Sequence, residues 1–91
     1  MKQIDYNTLK KIEAKVGSPF YIMQPDVYEA NVKAFINAFR KRYGKLIVGY
    51  SFKTNYVPAL CLRAKDMGCY AEVVSEMEMD LALSLGFEHI I

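Results

Sequence analysis

Cys61 and Cys69 are the only cysteines in the sequence. They are too few and wrongly spaced for a disulfide framework or a zinc knuckle, so they read as buried thiols in a reducing cytoplasm, and no metal is expected. Long hydrophobic runs are missing as well. Nothing approaches the roughly 20 apolar residues of a membrane span, and the N-terminus is polar, so neither a transmembrane helix nor a signal peptide is expected. Charge of one sign is also lacking: 12 Lys and Arg are interleaved with 10 Asp and Glu, for a net charge of +2. That balance offers no strong field for nucleic acid or anionic lipid. No glycine-rich fingerprint follows an apolar strand pattern, which argues against a dinucleotide-binding fold.

What is present is apolar material. Hydrophobic residues make up 53% of 91 residues, enough for a core and well outside the disordered range. The length suits one domain or a piece of one.

Met1 to Val16 reads as a short helix capped by Asp5 or Asn7, with Leu9, Ile12 and Val16 along one face. Gly17 is placed to end it in the left-handed conformation. Phe20 to Met23 gives a brief strand signal that stops at Gln24-Pro25. Pro25 to Tyr43 is a longer helix, with Pro25 suited to its first position and Asp26 and Glu29 near the positive end of its dipole. Tyr28, Val32, Phe35, Phe39 and Tyr43 form a stripe at helical spacing, which is expected to be core. Arg40, Lys41 and Arg42 match the negative end of the dipole, and Gly44 supplies the stop.

Lys45 to Phe52 is the central strand. Leu46, Ile47 and Val48 run together without alternation, as in a parallel strand covered on both faces. A helix over Pro58 to Met67 turns Leu60, Ala64 and Met67 inward and closes at Gly68. Cys69 to Val74 is a second strand. Ser75 to Glu78 matches a capping box, and the helix behind it runs to Leu85 with Met77, Leu81 and Leu85 on one side. His89 to Ile91 looks like a third strand beginning. Repeated strand-helix units predict a parallel α/β arrangement with right-handed crossovers. Two or three parallel strands leave apolar edges unpaired, so either neighbouring chains complete the sheet or this is the N-terminal portion of something larger. The second is preferred, because the sequence stops inside an element.

Lys53 stands out at the end of the apolar strand. A lysine leaving water is disfavoured as an ammonium, and a neutral amine is the nucleophile that forms Schiff bases. By position alone such a lysine is ordinarily a solvated surface residue. The surrounding pattern decides for chemistry. Gly17-Ser18-Pro19-Phe20-Tyr21, Tyr50-Ser51-Phe52-Lys53-Thr54-Asn55 and the run from Gly68 through Ala71-Glu72-Val73-Val74-Ser75 to Glu78 together resemble the N-terminal part of the fold-type III decarboxylases that use pyridoxal phosphate. That family includes the diaminopimelate, ornithine and arginine decarboxylases, and alanine racemase shares its barrel.

The resemblance implies an α/β fold: the N-terminal part of a (β/α)8 TIM barrel with parallel strands, preceded by a short helix and a strand belonging to a β-domain. Residues 1–24 would be the β-domain contribution and residues 25–91 the first part of the barrel, which as a whole needs about 250 residues. It implies pyridoxal 5'-phosphate as cofactor, an amino-acid substrate and a homodimer as full-length enzyme. Lys53 matches the lysine that holds the cofactor as an internal aldimine, and strand C-terminal ends are where barrel chemistry sits. Glu72 falls where the family usually has an aspartate beside the cofactor. Glu78 matches a family glutamate, although its place in the capping box explains it structurally. Tyr50 and Asn55 frame the lysine, with Tyr50 a cofactor neighbour. Ser51, Phe52 and Thr54 depart from the small apolar residues commoner there.

The reaction implied is decarboxylation of an amino acid, with the 91 residues alone inactive, because no phosphate loop or later barrel residues are in the chain. The alternatives are a racemase-like barrel enzyme using the same lysine, and a non-catalytic relative that only binds or self-associates. Which amino acid would be the substrate is not written in these residues.

Overall fold

The computed structural model describes every residue from Met1 to Ile91. Four helices and two short parallel strands follow one another: α1 (Tyr6–Val16), α2 (Pro25–Arg40), β1 (Gly49–Ser51), α3 (Pro58–Asp66), β2 (Tyr70–Glu72) and α4 (Glu76–Ser84). β1 and β2 pair in parallel with Gly49 opposite Tyr70, Tyr50 opposite Ala71 and Ser51 opposite Glu72. A parallel bridge from Ala71 to Ile90 starts a third position in the ladder. The strand-helix repeat read from the sequence is therefore formed: each parallel neighbour is reached through a helix, as parallel pairing requires.

Local chemistry accounts for the helix starts. Asp5, not Asn7, caps α1, its carboxylate accepting from the Thr8 amide at 2.9 Å and the Thr8 hydroxyl at 2.7 Å. Those bonds, the hydroxyl's first, hold the Asp5 carboxyl below its ordinary pKa. Gly17 does take a positive φ of 81°, but with ψ at −175° it turns the chain outward and not into the left-handed helical region. Pro25 and Pro58 each sit in the first turn of their helices, where a missing N–H costs nothing. The far end of α4 is held by its neighbour: Lys65 of α3 donates to the Leu85 carbonyl at 3.0 Å.

The core lies between the sheet and the helices of the two units. Phe52, Cys61, Ala71, Ala82 and Phe87 form one buried cluster, with Tyr50, Val73, Leu81, Leu85 and Ile90 packed against it. Leu60 and Ala64 are buried as expected of α3. An edge-on series of rings runs from α2 into this core: Tyr28 to Tyr50 at 6.1 Å, Tyr50 to Phe52 at 6.1 Å and Phe52 to Phe87 at 5.5 Å between centroids. Edge-on aromatic pairs add about 0.5–1.5 kcal/mol each beyond their buried area.

Several expectations are corrected. Phe20 to Met23 forms no strand. An extended segment becomes a strand only against a partner's amides and carbonyls, and Tyr21, Ile22 and Met23 are exposed instead. The strand read over Lys45–Phe52 is confined to Gly49–Ser51 for the same reason, since pairing reaches back only to the Val48 carbonyl, which accepts from Tyr70 at 2.9 Å. The stripe on α2 is not core along its length. Phe35, Phe39 and Tyr43 are 53%, 42% and 64% exposed, and Ile36 is the residue that α2 buries. α2 ends at Arg40, where the Arg42 and Tyr43 amides both return to the Phe39 carbonyl. On α4 the buried positions are Glu78 and Ala82, and Met77 faces outward.

The outcome is a flat body, 45 × 35 × 17 Å, with a radius of gyration of 15.9 Å. A compact domain of this length would have about 12–13 Å. Only 10 of 91 residues are buried, so each core side chain carries a large share of the stability. Replacing Phe52 with Ala is expected to cost about 3–5 kcal/mol, which should abolish the cooperative thermal transition of the chain in far-ultraviolet circular dichroism.

Candidate functional site

Parallel strands direct their chemistry to their C-terminal ends, because the connections that leave those ends can be shaped freely while the sheet stays fixed. Here those ends are Ser51 and Glu72, directly opposite one another. The ladder continues one bond further, the Phe52 amide donating to the Glu72 carbonyl at 2.9 Å. Lys53 is the next residue. It is exposed and takes no part in the chain's ion pairs. The burial that the sequence suggested around this lysine is not supplied by these residues. Its neighbour Phe52 is the one that is completely enclosed.

Side-chain alternation separates the four candidate residues. Tyr50 lies opposite the buried Ala71 and packs on the core cluster. Ser51 and Glu72, one step along, point to the other face, which they share with Gly49 and Tyr70. The residues of that face are half-buried or exposed. A Cβ on Gly49 would stand 3.6 Å from the Glu72 Cβ and 3.7 Å from Ile91 Cδ1, so the open face is already close-packed at its base. The structure thus brings Lys53 and Glu72 to one edge and sends Tyr50 into the packing behind it.

Glu78 stands apart from both. It is buried, and its carboxylate accepts from the Val74 amide at 2.8 Å while its own amide donates to Ser75 Oγ at 3.2 Å. This is a reciprocal cap shifted by one residue, since an ordinary capping box returns to the cap residue's own amide. It fixes the path from the end of β2 into α4.

Behind the lysine turn lies a group that the sequence did not single out. The Tyr28 hydroxyl is buried beside Tyr50 with no hydrogen-bond partner. Burial, and then the neighbouring Tyr50, push its pKa well up. Burial likewise raises Tyr50, Cys61 and Cys69. Helical spacing had put Tyr28 on the inner stripe, but only the fold shows that its ring stands edge-on to Tyr50 behind β1, with both thiols near enough to act on its hydroxyl electrostatically. A cleft of about 460 Å³, lined by Tyr21, Met23, Tyr28, Asn55 and Leu60 among others, opens from this group to solvent.

Two predictions follow from this geometry. The folded chain keeps its Cys61, Cys69, Tyr28 and Tyr50 protons to higher pH than the unfolded chain does, because all four pKa values are raised. Stability is therefore complete below the ordinary values of 9.0 for the thiols and 10.0 for the phenols and is lost as pH rises through and beyond them. Urea midpoints measured from pH 8 to 11 should fall steadily, and substitution of both cysteines by Ala should flatten the first part of that decline. Glu78→Ala should cost about 1–3 kcal/mol by stranding the Val74 amide, whereas Glu78→Gln, which keeps an acceptor, should cost less than half as much in the same titration.

No family model matches the chain, and no solved structure matches it. Over 81 residues, 85% of the chain, it is 33% identical to a diaminopimelate decarboxylase of Methanocaldococcus jannaschii. Over 80 residues, 87% of the chain, it is 31% identical to a diaminopimelate decarboxylase of Aquifex aeolicus. Either match takes up 18% of the relative's own length. The chain is thus similar, over most of its residues, to a short segment of the diaminopimelate decarboxylases.

Proposed function

We propose that the chain is the lysine-bearing part of a pyridoxal-phosphate-dependent amino-acid decarboxylase of the diaminopimelate type. In this reading residues 25–91 are the opening strand-helix units of a (β/α)8 barrel, residues 1–24 contribute to a β-domain, and the whole enzyme works as a homodimer in the cytoplasm. The observation that supports it most is an unpaired primary amine, Lys53, two residues past Ser51, which ends one parallel strand opposite Glu72 at the end of the next. Similarity to the two decarboxylases supplies the reaction class.

The residues present fit the cofactor. An exposed amine with no ion-pair partner is free to bond to an aldehyde carbon, and Ser51 and Glu72 on the face beside it are only half-buried. When bound, pyridoxal phosphate supplies an electron sink for the pair left on the α-carbon by the departing carboxylate. Lys53 would hold the cofactor through its Nζ, and the same amine, when free, would be the group that carries protons there. Glu72, at the end of the adjoining strand, would be the carboxylate that helps hold the cofactor beside the lysine. Tyr50 and Glu78 hold the frame: Tyr50 secures the turn that bears the lysine, and Glu78 fixes the exit from β2. The remaining steps need groups beyond these residues, so the 91-residue chain binds without turnover.

Incubation with pyridoxal phosphate followed by borohydride, with the modified lysine located by peptide mass mapping, tests this reading. The adduct is expected predominantly on Lys53, and Lys53→Ala should remove it. Adduct spread evenly over the other lysines would overturn the assignment and leave a binding or self-associating relative of the fold.

A further inference from the structure

Lys53 makes no contact that would aim it, yet the turn that carries it is tied on every side by its neighbours. Phe52, immediately before, is completely buried. The Ser51 carbonyl accepts from the Thr54 amide at 3.2 Å and from the Asn55 amide at 3.5 Å. The Asn55 carbonyl accepts in turn from the Tyr50 hydroxyl at 2.8 Å, and the Cys61 thiol lies 3.9 Å from the same oxygen. The Asn55 side chain accepts from the Val57 amide at 3.1 Å, one residue before α3 begins. Asn55 is thus bonded to the strand before the lysine and to the helix after it.

We infer that the Tyr50 hydroxyl and Asn55 form a latch that closes the Phe52–Asn55 turn and presents Lys53 at the sheet edge, making both of them positioning residues for the lysine. This rests on the proposed cofactor chemistry for its consequence but not for its geometry. Tyr50 crosses five residues to reach Asn55, so its single bond shortens the free loop around Lys53 to a closed ring. Loss of the hydroxyl leaves the aromatic packing against Tyr28 and Phe52 in place and removes the bond alone. The Cys61 thiol is a weaker donor to the same carbonyl and does not substitute for a phenol at 2.8 Å.

The test compares the unaltered chain with Tyr50→Phe and Asn55→Ala by two measurements. Amide hydrogen exchange at Thr54 and Asn55 reads the latch directly. In Tyr50→Phe the Thr54 and Asn55 amides should exchange about fivefold faster, the factor for loss of one ordinary hydrogen bond, with the amides of α4 unchanged. In Asn55→Ala, which keeps the backbone carbonyl, only the Thr54 amide is compared. It should accelerate less, because the turn is then loosened on the α3 side alone. Borohydride trapping with pyridoxal phosphate reads the consequence: the share of adduct on Lys53 relative to Lys45 and Lys65 should fall several-fold in Tyr50→Phe. Unchanged exchange at Thr54 in Tyr50→Phe overturns the latch. Faster exchange with an unchanged Lys53 share shows that the latch does not position the lysine and overturns the inference in that respect. If the unaltered chain shows no preference for Lys53, the cofactor reading fails while the exchange data still decide the latch.

Discussion

The edge-on packing of Phe52 on Phe87, in one cluster with Cys61 of α3, Ala71 of β2 and Ala82 of α4, is the contact through which the sheet meets α3 and α4. It lies one residue past the last paired position of β1 and one residue before Lys53. Its burial fixes the height of the strand end, and its amide, bonded to the Glu72 carbonyl, fixes the register of the neighbouring strand. Small residues at Ala71 and Ala82 let the backbone come close enough for one large ring to fill the space. A bulkier side chain at either would have to displace that ring. The same side chain that holds the core together thus sets where the exposed amine stands.

The frame around this contact divides into two kinds of bond. Inward-facing residues, Tyr50 among them, gain from lost water and aromatic geometry. Polar contacts such as Glu78 with Ser75 and Val74, or Lys65 with the Leu85 carbonyl, place helix ends that would otherwise leave amides or carbonyls unmatched. Glu78 is the clearest case in which a residue resembling a cofactor ligand has a complete structural role.

The order of the helices and most of their boundaries were legible in the sequence because they depend on local chemistry: Asp5 and Ser75 as caps, Pro25 and Pro58 as first-turn residues, and glycines after α1, α3 and α4. The parallel ladder followed from the alternation of strands with helices. Strand lengths were not legible, because a strand's extent belongs to its partner as much as to itself, and Leu46 to Ile47 and Phe20 to Met23 have none here. The face of α2 was misread for a related reason. Periodicity tells which residues share a side, but Phe35, Phe39 and Tyr43 share a side that no element of this chain covers. At the candidate site, Lys53 and Glu72 were singled out by the family resemblance, and only their place at the strand ends follows from element order. The separation of Tyr50 from Glu72 needed the register, and the gathering of Tyr28 and Cys61 behind the turn needed the packing.

All five members of the buried cluster fall between Phe52 and Phe87. Their closure joins segments a few tens of residues apart, and loop-closure entropy grows only slowly with that separation. During synthesis this stretch can consolidate as soon as it clears the ribosome, without waiting for any more distant partner. The lysine turn would then be shaped early and offered in finished form to whatever later packs against the open side of the sheet.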